Sequence, residues 1–88
     1  MDFYTRIAVI DAAIQEWFLM HKNISEAKPS DVTDYLIEKE IYSHDNKEGR
    51  PLRDDLRELK KRNQLHLIRG LVADERNKNT LWYFTPVR

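Results

Sequence analysis

Apolar residues return at three- and four-residue intervals from the start of the chain: Phe3, Ile7, Ile10, Ile14, Trp17 and Phe18. That spacing places them on one side of an amphipathic helix running from about Phe3 to His21. Asp2 stands where an N-cap is needed, His21 and Lys22 suit the negative end of the helix dipole, and Asn23 is placed for a left-handed exit. A short extended connection, Ile24 to Lys28, leads to a second helix over Pro29 to Glu40. Proline fits a first helical position because its missing N–H has no partner there anyway, and Asp31 and Asp34 favour the positive end. Val32, Tyr35, Leu36 and Lys39 share a face, with Ile37 close by. An acidic Glu40 at the negative end argues that this helix stops a residue or two earlier.

Tyr42 to Gly49 is polar and turn-like, with His44-Asp45 as a turn signal. Arg50-Pro51 then opens a third helix that ends near Asn63, with Leu52, Leu56 and Leu59 as its inward stripe. Asp54, Asp55 and Glu58 lie toward its start and Lys60, Lys61 and Arg62 toward its end, as the dipole prefers. After that the period changes. Leu65 to Val72 reads as a strand, Ala73 to Thr80 as a polar loop and Leu81 to Thr85 as a second strand, which together predict an antiparallel hairpin. Gly70 marks a bulge or a close approach, and Pro86 ends the ladder. A lone hairpin is marginal in water, so this one must pack on the helices. The predicted class is α+β: a three-helix bundle carrying a C-terminal β-hairpin, one domain over residues 1–88.

Composition narrows the function classes. With no cysteine there is no disulfide scaffold, thiolate zinc site or thiol nucleophile. Met1-Asp2-Phe3-Tyr4 lacks the basic-then-apolar plan of a secretory signal, and no stretch approaches the ~20 apolar residues that span a bilayer. A cytoplasmic protein without membrane contact is expected. His21, His44 and His66 lack metal-ligand spacing, no glycine-rich phosphate loop is present, and Ser30, Asp31 and Asp34 read as a helix start. No enzyme, cofactor, metal or small-molecule substrate is expected.

The formal net charge is zero, yet residues 1–45 carry four Lys/Arg against nine Asp/Glu and residues 46–88 carry eleven against six. A chain so divided can present a basic face while staying neutral overall; short chains also scatter charge unevenly.

The order helix, extended link, helix, turn, helix, hairpin resembles the winged helix-turn-helix superfamily. "KPSDVTDYL" (Lys28 to Leu36) is similar to the second helix of such domains, entered through a proline. "GRPLRDDLRELKKRNQLHLI" (Gly49 to Ile68) is similar to a recognition helix running into the first wing strand, and "VADERNKNTLWYF" (Val72 to Phe84) to the wing. The resemblance covers about residues 5 to 86. Its eight-residue turn between helices two and three departs from the three or four residues of the plain motif. The resemblance implies that helix three enters the DNA major groove while the wing touches the neighbouring backbone or minor groove. It carries no function by itself.

On a helical wheel Arg53, Arg57, Lys60 and Gln64 form one flank of helix three, with Asp54, Glu58 and Lys61 on the far side. Lys60, Lys61 and Arg62 serve the dipole and need no ligand. Arg50 and Arg53 stand at the positive end, and Arg53 with Arg57 is a like-charged i,i+4 pair, so helix stability does not choose these positions. Either a partner anion or an intramolecular acid such as Asp45 or Glu48 accounts for them. Arg pairs bidentately with guanine or phosphate, and the first turns of a recognition helix reach base edges. Arg76 and Lys78 at the hairpin tip either touch phosphates or keep the tip soluble, while Asp74 and Glu75 weaken an anion site there. Trp82 and Phe84 alternate onto the core face, and Trp17 is assigned to the core, with a dimer contact as its alternative.

The candidate DNA-binding set is therefore Arg50, Arg53, Arg57, Lys60, Lys61, Gln64, Arg76 and Lys78, in a small prokaryotic-type transcriptional regulator that binds double-stranded DNA. The rival is a winged-helix module that binds protein or forms a homodimer through helix one. It is motivated by the neutral total, the acidic first half and the carboxylates Asp54, Asp55 and Glu58 on helix three.

Overall fold

Asp2 starts the first helix by accepting the Thr5 amide N–H at 2.7 Å, and this bond holds its carboxyl below the usual carboxylate range. Helix α1 spans Phe3–Met20. In a computed structural model that describes residues 1–43 and 49–87, α1 is followed by α2 (Pro29–Glu38), α3 (Arg50–Lys61), one 3₁₀ turn (Leu65–Leu67), and strands β1 (Leu71–Glu75) and β2 (Thr80–Phe84). The His44-Asp45 turn, and the Tyr42–Gly49 connection over 44–48, fall outside the described residues.

Helix ends follow their local chemistry. Against expectation, Asn23 does not take a left-handed exit; His21 closes α1, its backbone N–H donating to Trp17 and Phe18 and its Nδ1 lying 2.9 Å from the Trp17 carbonyl. Among the described residues the left-handed non-glycine positions are Glu40 (φ 62°) and Asn63 (φ 57°). Around each, two amides turn back onto the helix: Glu40 to Ile37 and Ile41 to Leu36 after α2, Asn63 to Lys60 and Gln64 to Leu59 after α3. These are Schellman closures. Glu40 is thus outside α2, as its charge required.

The hairpin register is Leu71 opposite Phe84 through Glu75 opposite Thr80. Strand β1 starts at Leu71 rather than Leu65. Leu65 and Ile68 turn inward at three-residue spacing while His66 and Leu67 stay exposed, so the period here is that of a 3₁₀ turn. The hairpin loop correspondingly shrinks to 76–79, closed by Arg76 N–H to the Asn79 carbonyl at 2.8 Å. Ala27, in the link between α1 and α2, exchanges both backbone hydrogen bonds with Phe84 and so lays a third short rung on β2. From α1, Asp11 accepts the Arg69 amide at 2.8 Å and Gln15 Oε1 accepts the Val87 amide at 2.8 Å, pinning both ends of the hairpin base. This arrangement is winged-helix-like.

One core joins all of it. Ile7, Ile10, Ile14, Val32, Leu36, Leu52, Leu56, Leu59 and Phe84 are at most 1% exposed, and Ile68, Trp82 and Trp17 lie with them. Trp17 is therefore core, which removes it from any dimer contact. Gly70 (φ 74°) is the close approach: a Cβ there would sit 2.1 Å from the Thr85 carbonyl oxygen, where the Thr85 amide bonds Gly70 at 2.9 Å. Gly70→Ala is expected to destabilise the domain by about 2–4 kcal/mol, combining backbone strain with a broken strand-end contact. A denaturant midpoint unchanged by that substitution would contradict this account.

Candidate functional site

The first turn of α3 is set by Gly49, whose backbone is left-handed (φ 83°) and where an added Cβ would sit 3.0 Å from Pro29 C and Ser30 N, a tight fit for any side chain. With the helix fixed there, Leu52, Leu56 and Leu59 turn inward and Arg50, Arg53, Arg57, Lys60, Lys61 and Gln64 outward. Arg53 and Gln64 are half-buried; the other four are exposed. Arg53 also walls a cleft of about 240 Å³ with Lys28 and Ser30 at the start of α2 and Thr80, Leu81 and Trp82 of the hairpin. Lys60 reaches the hairpin directly, donating to Thr80 Oγ1 at 3.1 Å and pairing with Glu75. The α3 stripe, the start of α2 and the wing therefore share one face.

Several members of the candidate set already have partners. Arg57 pairs with Asp54, and Arg76 with Asp74 at 2.9 Å. Gln64 Oε1 accepts the Tyr4 hydroxyl at 2.7 Å, and Arg53 is engaged within the molecule. The i,i+4 repulsion between Arg53 and Arg57 is thus relieved by Asp54. Asp45 and Glu48, the expected partner acids, lie outside the described residues. Arg50, Lys61 and Lys78 have no ion-pair partner among the described residues. The pairs that exist are weak: Arg57 and Asp54 are both more than half exposed, as is Glu75 opposite Lys60. Such surface pairs contribute about 0–1 kcal/mol each, so a stronger anion can exchange with the carboxylate.

The acids of α3 are sorted more sharply than the sequence suggested. Glu58 pairs with Arg62 at 2.8 Å, which holds the Glu58 carboxyl low, and Arg62 lies over the Phe3 ring at 4.5 Å. Asp55 is buried on the core side. Only Asp54 borders the stripe.

No family model, curated protein or solved structure matches this chain. The assignment of the site therefore rests on its geometry. Among the described residues no three His, Cys, Asp or Glu side chains converge as a metal site, and no helix is long and apolar enough to cross a membrane.

Asp55 is the residue whose role was missed. Its two oxygens accept Arg6 Nε and Nη2 of α1 at 2.9 Å each, and Oδ2 also accepts the Tyr42 hydroxyl at 2.5 Å. Asp55 raises the Arg6 guanidinium above its ordinary value, and burial, then the Asp55 bond, pushes the Tyr42 phenol up. A sequence signal existed: Asp55 lies one residue before Leu56 and three after Leu52, on the edge of the inward stripe, where an acid needs a partner. Which cation would meet it depended on how α1 packs. With the Arg6 and Asp55 side chains 27% and 13% exposed, this pair is more valuable than a surface one. Asp55→Ala is expected to destabilise by about 2–4 kcal/mol and Tyr42→Phe by about 1 kcal/mol. A loss below 0.5 kcal/mol for Asp55→Ala, roughly the surface average, would show the clamp to be incidental.

Proposed function

We propose that this chain is a double-stranded DNA-binding protein of winged-helix type, a small prokaryotic-type transcriptional regulator in which α3 enters the major groove. The observation that carries the reading is the sorting of α3. Arg50, Arg53, Arg57, Lys60 and Gln64 face outward along one stripe, while Asp55 and Glu58 are held elsewhere by Arg6 and Arg62. Arg50, Arg53 and Arg57 occupy the opening turns, the part of a recognition helix that reaches bases. Lys61 and Lys78, with no ion-pair partner among the described residues, supply further backbone contacts from the flank of α3 and the hairpin tip, and Lys28 stands at the start of α2 beside Arg53. The Arg57–Asp54 and Arg76–Asp74 pairs are exposed enough to yield their cations to phosphate.

The rival is a protein-binding module. What favours it is Asp54, Asp74 and Glu75 on that face, each seated against a cation that DNA would need. The two readings differ in their salt response.

If about five cations reach phosphates, log affinity for a random duplex falls with log salt at a slope near −4.5, a few-hundred-fold loss between 50 and 200 mM. Arg50→Glu or Arg57→Glu is expected to weaken binding about tenfold or more while leaving the unfolding midpoint within 0.5 kcal/mol of the parent. Asp54→Asn is expected to tighten it several-fold, since it frees Arg57 and removes a repulsive charge. Duplex binding that is absent, or flat with salt, would overturn this function in favour of the protein-binding module.

A further inference from the structure

Where α1 ends against the base of the hairpin, the molecule holds a groove of about 370 Å³. Its apolar walls are Phe18 and Leu19 of α1, Ile24 of the link to α2, and Pro86 and Val87 after β2. Phe18 is buried, Ile24 and Pro86 are half-buried, and Leu19 and Val87 are exposed. Gln15 ties these segments together. Its Nε2 donates to the Arg69 and Thr85 carbonyls at 3.2 and 3.3 Å, while its Oε1 accepts the Val87 amide at 2.8 Å. The volume falls within the ~300–1,000 Å³ of small-molecule sites.

Two cations and no described acid complete the lining. Lys22 is exposed and has no ion-pair partner among the described residues, and its place past the negative end of α1 accounts for it by the dipole alone. Arg69 has no such account. Asp11, whose side chain is 17% exposed, accepts the Arg69 amide at 2.8 Å and Arg69 Nε at 3.1 Å, which fixes the base of the guanidinium. The two terminal nitrogens of Arg69 donate to no described residue, and its side chain stays 55% exposed. A guanidinium held at Nε keeps a planar pair of N–H groups, which a carboxylate can meet with both oxygens. Asp11 balances one of the two cations, so one positive charge is left over at the groove.

We propose that this groove binds a small amphipathic monocarboxylate, its apolar body on Phe18, Ile24 and Pro86 and its carboxylate on Arg69 and Lys22. The volume suits about ten to twelve non-hydrogen atoms, reckoned at the ~30 Å³ that a water occupies in the liquid. The walls call for hydrocarbon. One uncompensated positive charge matches one carboxylate; a phosphate monoester would bring a second negative charge without a partner. A small-molecule partner is not expected from the sequence, because the lining comes from residues 15–24, 69 and 86–87, which meet only in the fold. None of these residues belongs to the α3 stripe or to the cleft beside Arg53, so this site and DNA binding stand or fall separately.

Octanoate, an ionised carboxylate of about ten non-hydrogen atoms at neutral pH, is the probe. Titrated into the full chain and followed by amide chemical shifts, it is expected to saturate with a Kd of about 0.1–1 mM, the weak end of what ten atoms supply. The amides of Leu19, Lys22, Arg69 and Val87 are expected to move, and those of Arg57 and Lys61 to stay. Octan-1-ol, with the same chain and no charge, is expected to bind about tenfold more weakly, and octylamine not to saturate. Lys22→Gln is expected to weaken octanoate about five- to tenfold while leaving octan-1-ol unchanged, a split that a merely structural role for Lys22 would not produce. Leu19→Glu, on an exposed helical position, is expected to abolish octanoate binding with unaltered circular dichroism. No saturation up to about 10 mM would overturn the proposal, as would octan-1-ol binding as tightly as octanoate or an octanoate affinity unchanged by Lys22→Gln. Saturating shifts confined to other residues would do the same. So would shifts of the groove amides with protein concentration alone, which would put a second copy of the chain there.

Discussion

Asp55 is where α1, the chain leaving α2 and α3 meet. Its carboxylate takes two guanidinium hydrogen bonds from Arg6 and one phenol hydrogen bond from Tyr42, so three segments distant in sequence share one anion. Hydrophobic burial tells α3 which side faces inward but tolerates sliding and rotation, because apolar contact is non-directional. A bidentate Arg–carboxylate contact is directional in distance and plane. It therefore fixes how far α3 has rotated about its own axis, and that rotation decides which of its charges reach solvent. The outward stripe of Arg50, Arg53, Arg57 and Lys60 is a consequence of where Asp55 points.

The ion pairs of this molecule fall into two strengths, and the difference has a structural use. Arg6–Asp55 is largely withdrawn from water and holds helices together. The Arg57–Asp54, Lys60–Glu75 and Arg76–Asp74 pairs stand in solvent, where screening and side-chain entropy leave little net attraction. A face built from pairs of the second kind is neutral on average and soluble, yet its cations can be re-partnered at small cost. The zero net charge of the chain is therefore no obstacle to an anionic ligand, provided the ligand presents denser charge than isolated carboxylates do. Duplex DNA, with one phosphate charge per ~1.7 Å of axis, has that density.

Most of the architecture was legible because its signals are local. The α1 stripe, the proline entering α2, the leucine spacing of α3 and the alternation that buries Trp82 and Phe84 each depend on neighbours a few residues away. The errors were also local, and each came from a competing rule. Leu65 to Val72 looks like a strand by composition, but Asn63 takes the left-handed bend and the next residues wind on as a 3₁₀ turn before Gly70 admits the ladder. Asn23 has the same turn chemistry as Asn63, yet His21 ends α1 first with its own ring and backbone. The Glu58–Arg62 pair follows from its four-residue spacing on one helix; what could not be read was which base meets Asp54 and which meets Asp55. Asp54, Asp55 and Glu58 look equivalent as dipole-favouring acids. Packing makes one a core anchor for α1, one a partner of Arg62 and one the neighbour of the arginine stripe. Those contacts join residues 3 to 49 positions apart.

The same sorting leaves the outward faces of α1 and α3 with different compositions. One core takes most of the large apolar side chains of this 88-residue chain, and Tyr4, Leu67, Leu81 and Val87 remain exposed elsewhere. Here Val9, Leu19 and Met20 are left outside on α1, on a face from which charge has been cleared by turning Glu16 onto Lys39. On α3 the reverse holds: aliphatic residues are confined to the inward stripe and the outward one is all charge and amide. Helix periodicity alone would give both helices a polar outer face. Because α1 lacks one, the asymmetry between them is carried by the choice of outward residues, which the core does not dictate. The outward faces of α1 and α3 therefore differ in character although one core sets the inward side of both.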